Sequence, residues 1–210
     1  MPNYLRNFFS SINDKKRYEK KWLNSDEQFN QLYPFSMQVL ASRHWTPLKI
    51  AKKAAAYLSA ENNTRILDIG SGVGKFCLTA AYSNPKVFYY GIEQRKSLIT
   101  HAENAQKKLG VKNVCFIHGN FTQVDFRNYD HFYFFNSFYE NLTDRDKIDG
   151  DIEGSGKLFN YYNHFLSKQL ALKPSGTKFV SLSTRSDEVP DGYRLEETKM
   201  EGLLKFWIKT

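Results

Sequence analysis

Eleven residues from Ile66 to Phe76, ILDIGSGVGKF, carry the clearest chemistry in this 210-residue chain. An apolar run ends at Asp68, and Gly70, Gly72 and Gly74 then arrive at every second position. A backbone that bare lets a ligand come close to the main chain. A second carboxylate, Glu93 in YYGIEQ, stands 19 residues beyond Gly74, near the ~20-residue spacing at which an acid meets a ribose hydroxyl.

Three ligands compete for the glycine turn. A phosphate-cradling loop requires G-x-x-x-x-G-K-[ST]. Here one residue too few separates Gly70 from Gly74, and Phe76 stands where a magnesium-binding hydroxyl belongs. The dinucleotide fingerprint G-x-G-x-x-G requires a glycine at 75 for close helix–strand packing. Lys75 occupies that position, and its side chain must then find a way out. What remains is D-x-G-x-G-x-G.

The elements that must hold this turn alternate. RILDIG reads as a buried strand, and the glycines lead into a helix near KFCLTAAYS. KVFYYGIE is a strand, SLITHAENAQKKLG a helix closed by glycine, and NVCFIHG a strand again. YDHFYFFN is a fourth strand, GKLFNYYNHFLSKQLALK a long helix, and TKFVSLS and LLKFWIKT are closing strands. Upstream, Thr46 in WTPLKIAKKAAAYL reads as the N-cap of a helix with proline in its first turn. Residues 4–32 read as one or two helices, with Leu5, Phe8, Phe9 and Ile12 at helical spacing. This alternation predicts a mainly parallel sheet covered on both faces. The last two strands, joined by PDGYRLEETKMEG without a helix, are expected to pair antiparallel at one edge. GSGVG, GIEQ, HGNF and FNSFYEN all fall at the carboxyl ends of strands, where such sheets bind ligands.

From Thr46 to Thr210 the sequence resembles the class I S-adenosylmethionine-dependent methyltransferases, and ILDIGSGVG matches their first motif at every defining position. The resemblance implies a doubly wound, mostly parallel seven-stranded α/β sheet with an antiparallel edge strand. It divides the chain into a helical N-terminal extension over residues 1–45, partly covering the cofactor, and a methyltransferase domain over 46–210. S-adenosylmethionine is the cofactor implied, with S-adenosylhomocysteine as product. Asp68, Gly70, Ser71, Gly72 and Gly74 would receive its amino-acid tail, with Asp68 taking the ammonium. Glu93 would accept the ribose hydroxyls, and Gln94 would reach the ribose or the adenine edge. In HGNF, Asn120 stands where relatives commonly carry an acid, and its carbonyl would accept from the adenine amino group while Phe121 stacks on the ring.

The acceptor pocket of this fold opens after the fourth strand, at FYFFNSFYENL. Asn136 and Ser137 offer hydrogen bonds there beside Phe134, Phe138 and Tyr139. Amino methyltransferases acting on adenine or glutamine amides carry Asn-Pro-Pro-Tyr; this chain keeps Asn136 and Tyr139 in register, with Ser137 and Phe138 between them. The non-SET histone lysine methyltransferases and their prokaryotic relatives are a closer resemblance, through D-x-G-S-G-V-G, the G-[DN]-F segment and YPFS at Tyr33–Ser36. The resemblance makes Asn136 and Tyr139 the catalytic pair, with Asn136 also touching the cofactor, and a protein lysine the favoured nitrogen acceptor. A small molecule or RNA is the alternative acceptor. The acidic stretch TDRDKIDGDIEGSGK, over 143–157, reads as a mobile loop at the acceptor mouth.

Charge and composition bound the rest. Net charge is +8, unevenly spread: residues 1–65 hold 11 basic and 5 acidic side chains, whereas 129–210 hold 11 and 13. A basic front half suits an acidic partner such as nucleic acid, although no base-reading module accompanies it. Neither a membrane span nor a signal-type start is present, so a cytoplasmic location and no membrane partner are expected. Cys77 and Cys115 read as buried small hydrophobes. His44, His101, His118, His131 and His164 show no metal spacing, so no metal is expected.

Overall fold

The computed structural model describes residues 21–135, 137, 138, 141, 148, 155–185 and 188–210. Its described elements begin with three short helices, α1 (Asp26–Asn30), α2 (Phe35–Gln38) and α3 (Ala41–His44), followed by α4 (Leu48–Leu58). Then come β1 (Arg65–Ile69), α5 (Lys75–Ser83), β2 (Phe88–Glu93), α6 (Lys96–Leu109), β3 (Val114–His118) and β4 (His131–Phe135). The chain closes with α7 (Gly156–Ala171), β5 (Lys178–Leu182), β6 (Tyr193–Lys199) and β7 (Leu204–Lys209). The strands form a seven-stranded sheet in the order β3-β2-β1-β4-β5-β7-β6. β7 runs antiparallel between β5 and β6, and the other pairings are parallel.

Six of these strands match the sequence pattern. The seventh, β6, lies inside PDGYRLEETKMEG, where the sequence suggested only a connection. YRLEETK is nearly all exposed, so it carries no buried stripe to announce a strand. Its charges suit an outer edge, where open hydrogen-bonding groups would otherwise invite a foreign strand.

Period-two alternation divides the sheet's side chains between two cores. On one face Ile66, Tyr133, Val180 and Phe206 pack with Phe76 and the alanine face of α4. On the other Leu67, Phe132, Phe134 and Trp207 pack with Tyr162, Leu166 and Leu170 of α7. Burying each large side chain contributes about 1.5–3 kcal/mol, so this doubly covered sheet forms a stiff base for the loops at its carboxyl edge.

The N-terminal segment departs from its sequence reading. Residues 4–20 lie outside the described residues, and within 22–32 only Asp26–Asn30 is helical. α4 starts at Leu48, one residue after Pro47, and Thr46 does not cap it. The Thr46 hydroxyl shares a 3.0 Å hydrogen bond with the Tyr133 hydroxyl. The Leu48 amide instead donates to Asp26 Oδ1 at 2.9 Å, so a residue 22 positions upstream satisfies the helix start.

Lys75 reverses a second expectation. Its side chain does not turn outward: it is 4% exposed and pairs with Asp26. It also donates to Asn30 Oδ1 at 3.1 Å and lies 5.3 and 5.6 Å from the ring centres of Phe29 and Trp45. Burial lowers the Lys75 amine pKa, and the Asp26 carboxylate opposes that shift. With Asp26 half exposed, Asp26→Ala should cost about 1.5 kcal/mol, the low end for a hydrogen bond to a charged group. Denaturant midpoints would check this, and an unchanged midpoint would mean Asn30 and the two rings suffice.

Candidate cofactor site

β1 and β2 run side by side, so the register that pairs Ile69 with Ile92 brings the turn after β1 next to Glu93. The Ile92 carbonyl accepts from the amides of Gly70 (3.0 Å) and Ser71 (2.9 Å), fixing the turn on the neighbouring strand. A cavity of about 480 Å³ opens beyond these strand ends, lined by Asp68, Gly72, Glu93 and Phe121 among others. That volume lies within the range of about 300–1,000 Å³ usual for small-ligand sites.

The three glycines do different work. A side chain at Gly70 would collide with Ser137, whose hydroxyl has its one proton within reach of the carbonyls of Ile69 (3.0 Å), Phe135 (3.2 Å) and Gly70 (3.3 Å). Gly70 is therefore small for the loop after β4, and the Ser137 hydroxyl is spent on main chain, not on an acceptor as its sequence position suggested. A side chain at Gly74 would strike the Phe116 ring and the Ala102 methyl. Only Gly72 faces open space, with nothing within 4 Å of an added Cβ.

Asp68 and Glu93 flank that open glycine. Asp68 is 3% exposed, and Oδ2 accepts from the Cys77 thiol at 3.5 Å. Burial pushes its carboxyl up to about 8, with the Glu93 charge adding and the thiol's hydrogen bond opposing. Cys77 thus partners the acid, while Cys115 is exposed, against the expectation of two buried thiols. Glu93 accepts from the Gly72 amide at Oε2 (3.1 Å) and the Arg95 amide at Oε1 (2.9 Å). The Ser71 hydroxyl, buried in the cavity wall, has no hydrogen-bond partner, and an orphan of that kind suits a ligand's polar group.

Gln94 also lines the cavity, whereas Asn120 does not. Asn120 Oδ1 already accepts from the Thr122 amide (3.0 Å) and hydroxyl (2.9 Å). Its Nδ2 donates to Gln94 Oε1 (3.0 Å) and the Tyr162 hydroxyl (2.6 Å), so Asn120 braces Gln94 from behind. Phe121 lines the wall, stacked on Phe138 at 4.8 Å between centres. Asn136, Tyr139 and most of the acidic stretch 143–157 lie outside the described residues; of that stretch Ile148 reaches the cavity, and Ser155 caps α7.

A strap at the end of the extension expected to cover the cofactor partly, Arg43, His44, Trp45 and Thr46, lines the cavity, although sequence reading singled out none of these residues for it. Tyr33–Ser36, within the extension expected to cover the cofactor partly, do not line it: Phe35 is 80% exposed, and Tyr33 reaches the turn from outside by donating to the Val73 carbonyl at 2.9 Å. Arg95, 5% exposed at the cavity wall, was missed as well. No spacing rule marks either feature; the only local sign was a Trp beside the helix start. Among the described residues no cluster of His, Cys, Asp or Glu is placed to hold a metal ion, and no helix is long and apolar enough to cross a membrane.

This strand order, with a glycine turn after β1 and an acid ending β2, is that of the Rossmann-like class I S-adenosylmethionine-dependent methyltransferases. A family model described as "Methyltransferase domain" matches residues 60–191, more than half of the chain, and the chain belongs to that family. Among curated proteins, the tRNA (guanine-N(7)-)-methyltransferase of Microcystis aeruginosa is 41% identical over 54 residues, 26% of each chain. The release factor glutamine methyltransferase of Buchnera aphidicola is 35% identical over 77 residues, 36% of this chain and 28% of that protein. The chain thus spans about a quarter of the length of the curated relatives it matches. Of solved structures, TrmN from Thermus thermophilus superposes with a TM-score of 0.57 at 20% identity, over 80% of this chain and 50% of that one. An RNA methyltransferase from Salinibacter ruber, in complex with S-adenosyl-L-homocysteine, gives 0.53 at 20% identity, over 79% and 92%. At such identities these two structures speak for the fold.

Proposed function

We propose that the chain binds S-adenosylmethionine in the cavity beyond β1 and β2 and transfers its methyl group to a nitrogen acceptor. One observation carries the reading: two buried carboxylates, Asp68 and Glu93, flank the single glycine of the turn that faces open space. A cationic amino-acid tail and a ribose diol need an arrangement of that kind, and a polyanion does not. Asp68 would hold the ammonium, the Ser71 hydroxyl would gain its missing partner, and Glu93 would take the ribose hydroxyls. Gln94, braced by Asn120, would border the base beside Phe121.

When bound, the sulfonium supplies an already activated methyl group, so the chain's part is in-line positioning and exclusion of water. Phe135 and Phe138 supply apolar wall beside the turn, an environment that disfavours a charged amine and so favours the nucleophilic neutral form. Asn136 and Tyr139 are proposed to orient that amine.

Protein lysine is the acceptor proposed first. RNA is the second reading, supported by the basic first half of the chain and by the Microcystis relative's name. Incubating the full chain with methyl-labelled S-adenosylmethionine and lysate fractions separates them. Label in protein hydrolysates as methyl-lysine supports the first, and label only in RNA ends it. No label in any fraction, with no adenosylhomocysteine binding, would end the methyltransferase reading.

A pH dependence follows from Asp68. Its folded pKa of about 8 lies above the ordinary 3.8. The protonated form therefore favours the folded chain, and that contribution fades as pH rises from about 4 to about 8. A bound ammonium needs the ionised form, so it offsets the loss. Thermal stabilisation by adenosylhomocysteine should consequently grow between about pH 6 and 8 and then level off. Asp68→Asn should flatten the profile; an already flat parent profile would remove Asp68 from the ammonium.

A further inference from the structure

Two acids share one small cavity, and something must decide how each behaves. Asp68 and Glu93 are 3% and 6% exposed, and the Glu93 charge raises the cost of ionising Asp68. The cationic side chains lining the cavity are Arg43, His44, Lys75 and Arg95. Lys75 is held on its far side by Asp26 and Asn30, and Arg43 and His44 belong to the strap. Arg95 stands directly against a cavity acid, with a guanidinium nitrogen 3.9 Å from Glu93 Oε1 and both side chains less than a tenth exposed.

The same residue grips that carboxylate twice. The Arg95 amide donates to Oε1 at 2.9 Å, while the Gly72 amide donates to Oε2 at 3.1 Å. A carboxylate offers about four acceptor sites on its two oxygens, so one such group can accept from both hydroxyls of a cis-diol. Among the described residues no cation pairs with Asp68, and its hydrogen bond comes from a neutral thiol.

Resting on the cofactor reading above, we infer that Arg95 is a positioning residue for the ribose. It keeps Glu93 ionised and turned to the cavity, and so gives the site its preference for an intact diol. Arg95 need not touch the cofactor for this. A planar guanidinium in a dry wall acts on the carboxylate's charge and its rotamer together, which an ordinary amide would not do.

The test compares two ligands on the full chain by calorimetry: adenosylhomocysteine and its 2′-deoxyribose analogue. The parent should prefer the intact diol by about 10- to 100-fold, the worth of a hydrogen bond to a charged acceptor. Arg95→Gln should shrink that preference to about threefold or less, while Arg95→Lys, which restores the charge without the planar fork, should recover part of it. A merely structural role would weaken both ligands alike and leave the ratio intact, and that result overturns the inference. So does a parent that binds both ligands equally, although the cofactor reading then survives. A parent that binds neither removes the cofactor reading itself.

Discussion

Glu93→Ala is expected to weaken adenosylhomocysteine binding by about 1.5–3 kcal/mol, the range for hydrogen bonds to an ionised group. The carboxylate is buried at the end of β2 and organises the wall on both sides of itself, through the Gly72 amide and the Arg95 amide. Its removal takes away the proposed ribose acceptor and also frees the turn at its one open glycine. Calorimetry on the parent and the variant reads the loss directly. Unchanged affinity in a variant that still unfolds cooperatively would mean that Glu93 braces the turn without meeting the ligand.

Gly74→Ala should have a comparable effect on stability, about 3 kcal/mol, for reasons unrelated to any ligand. Gly74 has φ +81°, a left-handed conformation that costs other residues about 1–2 kcal/mol. A methyl there would also press on the Phe116 ring and the Ala102 side chain, and overpacking of a tight site costs about 1–3 kcal/mol. Chemical denaturation gives the number. A loss below about 1 kcal/mol would show that Phe116, on the half-buried edge strand β3, simply moves aside. Gly72→Ala makes the contrast: its φ of +54° carries the same backbone cost of about 1–2 kcal/mol, but its Cβ meets nothing within 4 Å. Its stability loss should therefore be the smaller of the two, with a further loss in affinity.

These two substitutions also mark what a sequence can and cannot disclose. The order of β1 to β5 and their helices was legible because each carries a buried apolar run or a helical stripe, and helix α6 ends at Gly110 as its closing glycine promised. Asp68, the glycines and Glu93 converge because adjacent parallel strands deliver their carboxyl ends to one edge. What failed were features made by contacts distant in sequence. Lys75 looked like a side chain bound for solvent until Asp26, 49 positions earlier, was found beside it. Thr46 looked like a cap because capping rules see only neighbours, whereas its hydroxyl meets Tyr133 across the fold. β6 was hidden because an exposed edge strand needs no apolar face. Gly70 resembled its two companions in sequence, and only the position of Ser137 distinguishes it.

The antiparallel hairpin has a practical corollary for anyone isolating the catalytic unit. The stretch recognisable by family stops at residue 191, two residues before β6 begins. Cutting there would strip β7 from β5 and expose the open flank of a central strand along with Phe179, Trp207's neighbour in register. Starting at residue 60 would also discard Asp26, Phe29, Asn30, Trp45 and helix α4, and so uncover Lys75 and the face of the core beneath them. Such a fragment should precipitate or fail to fold while still carrying every recognisable motif, so the smallest self-sufficient piece is much longer than its signature.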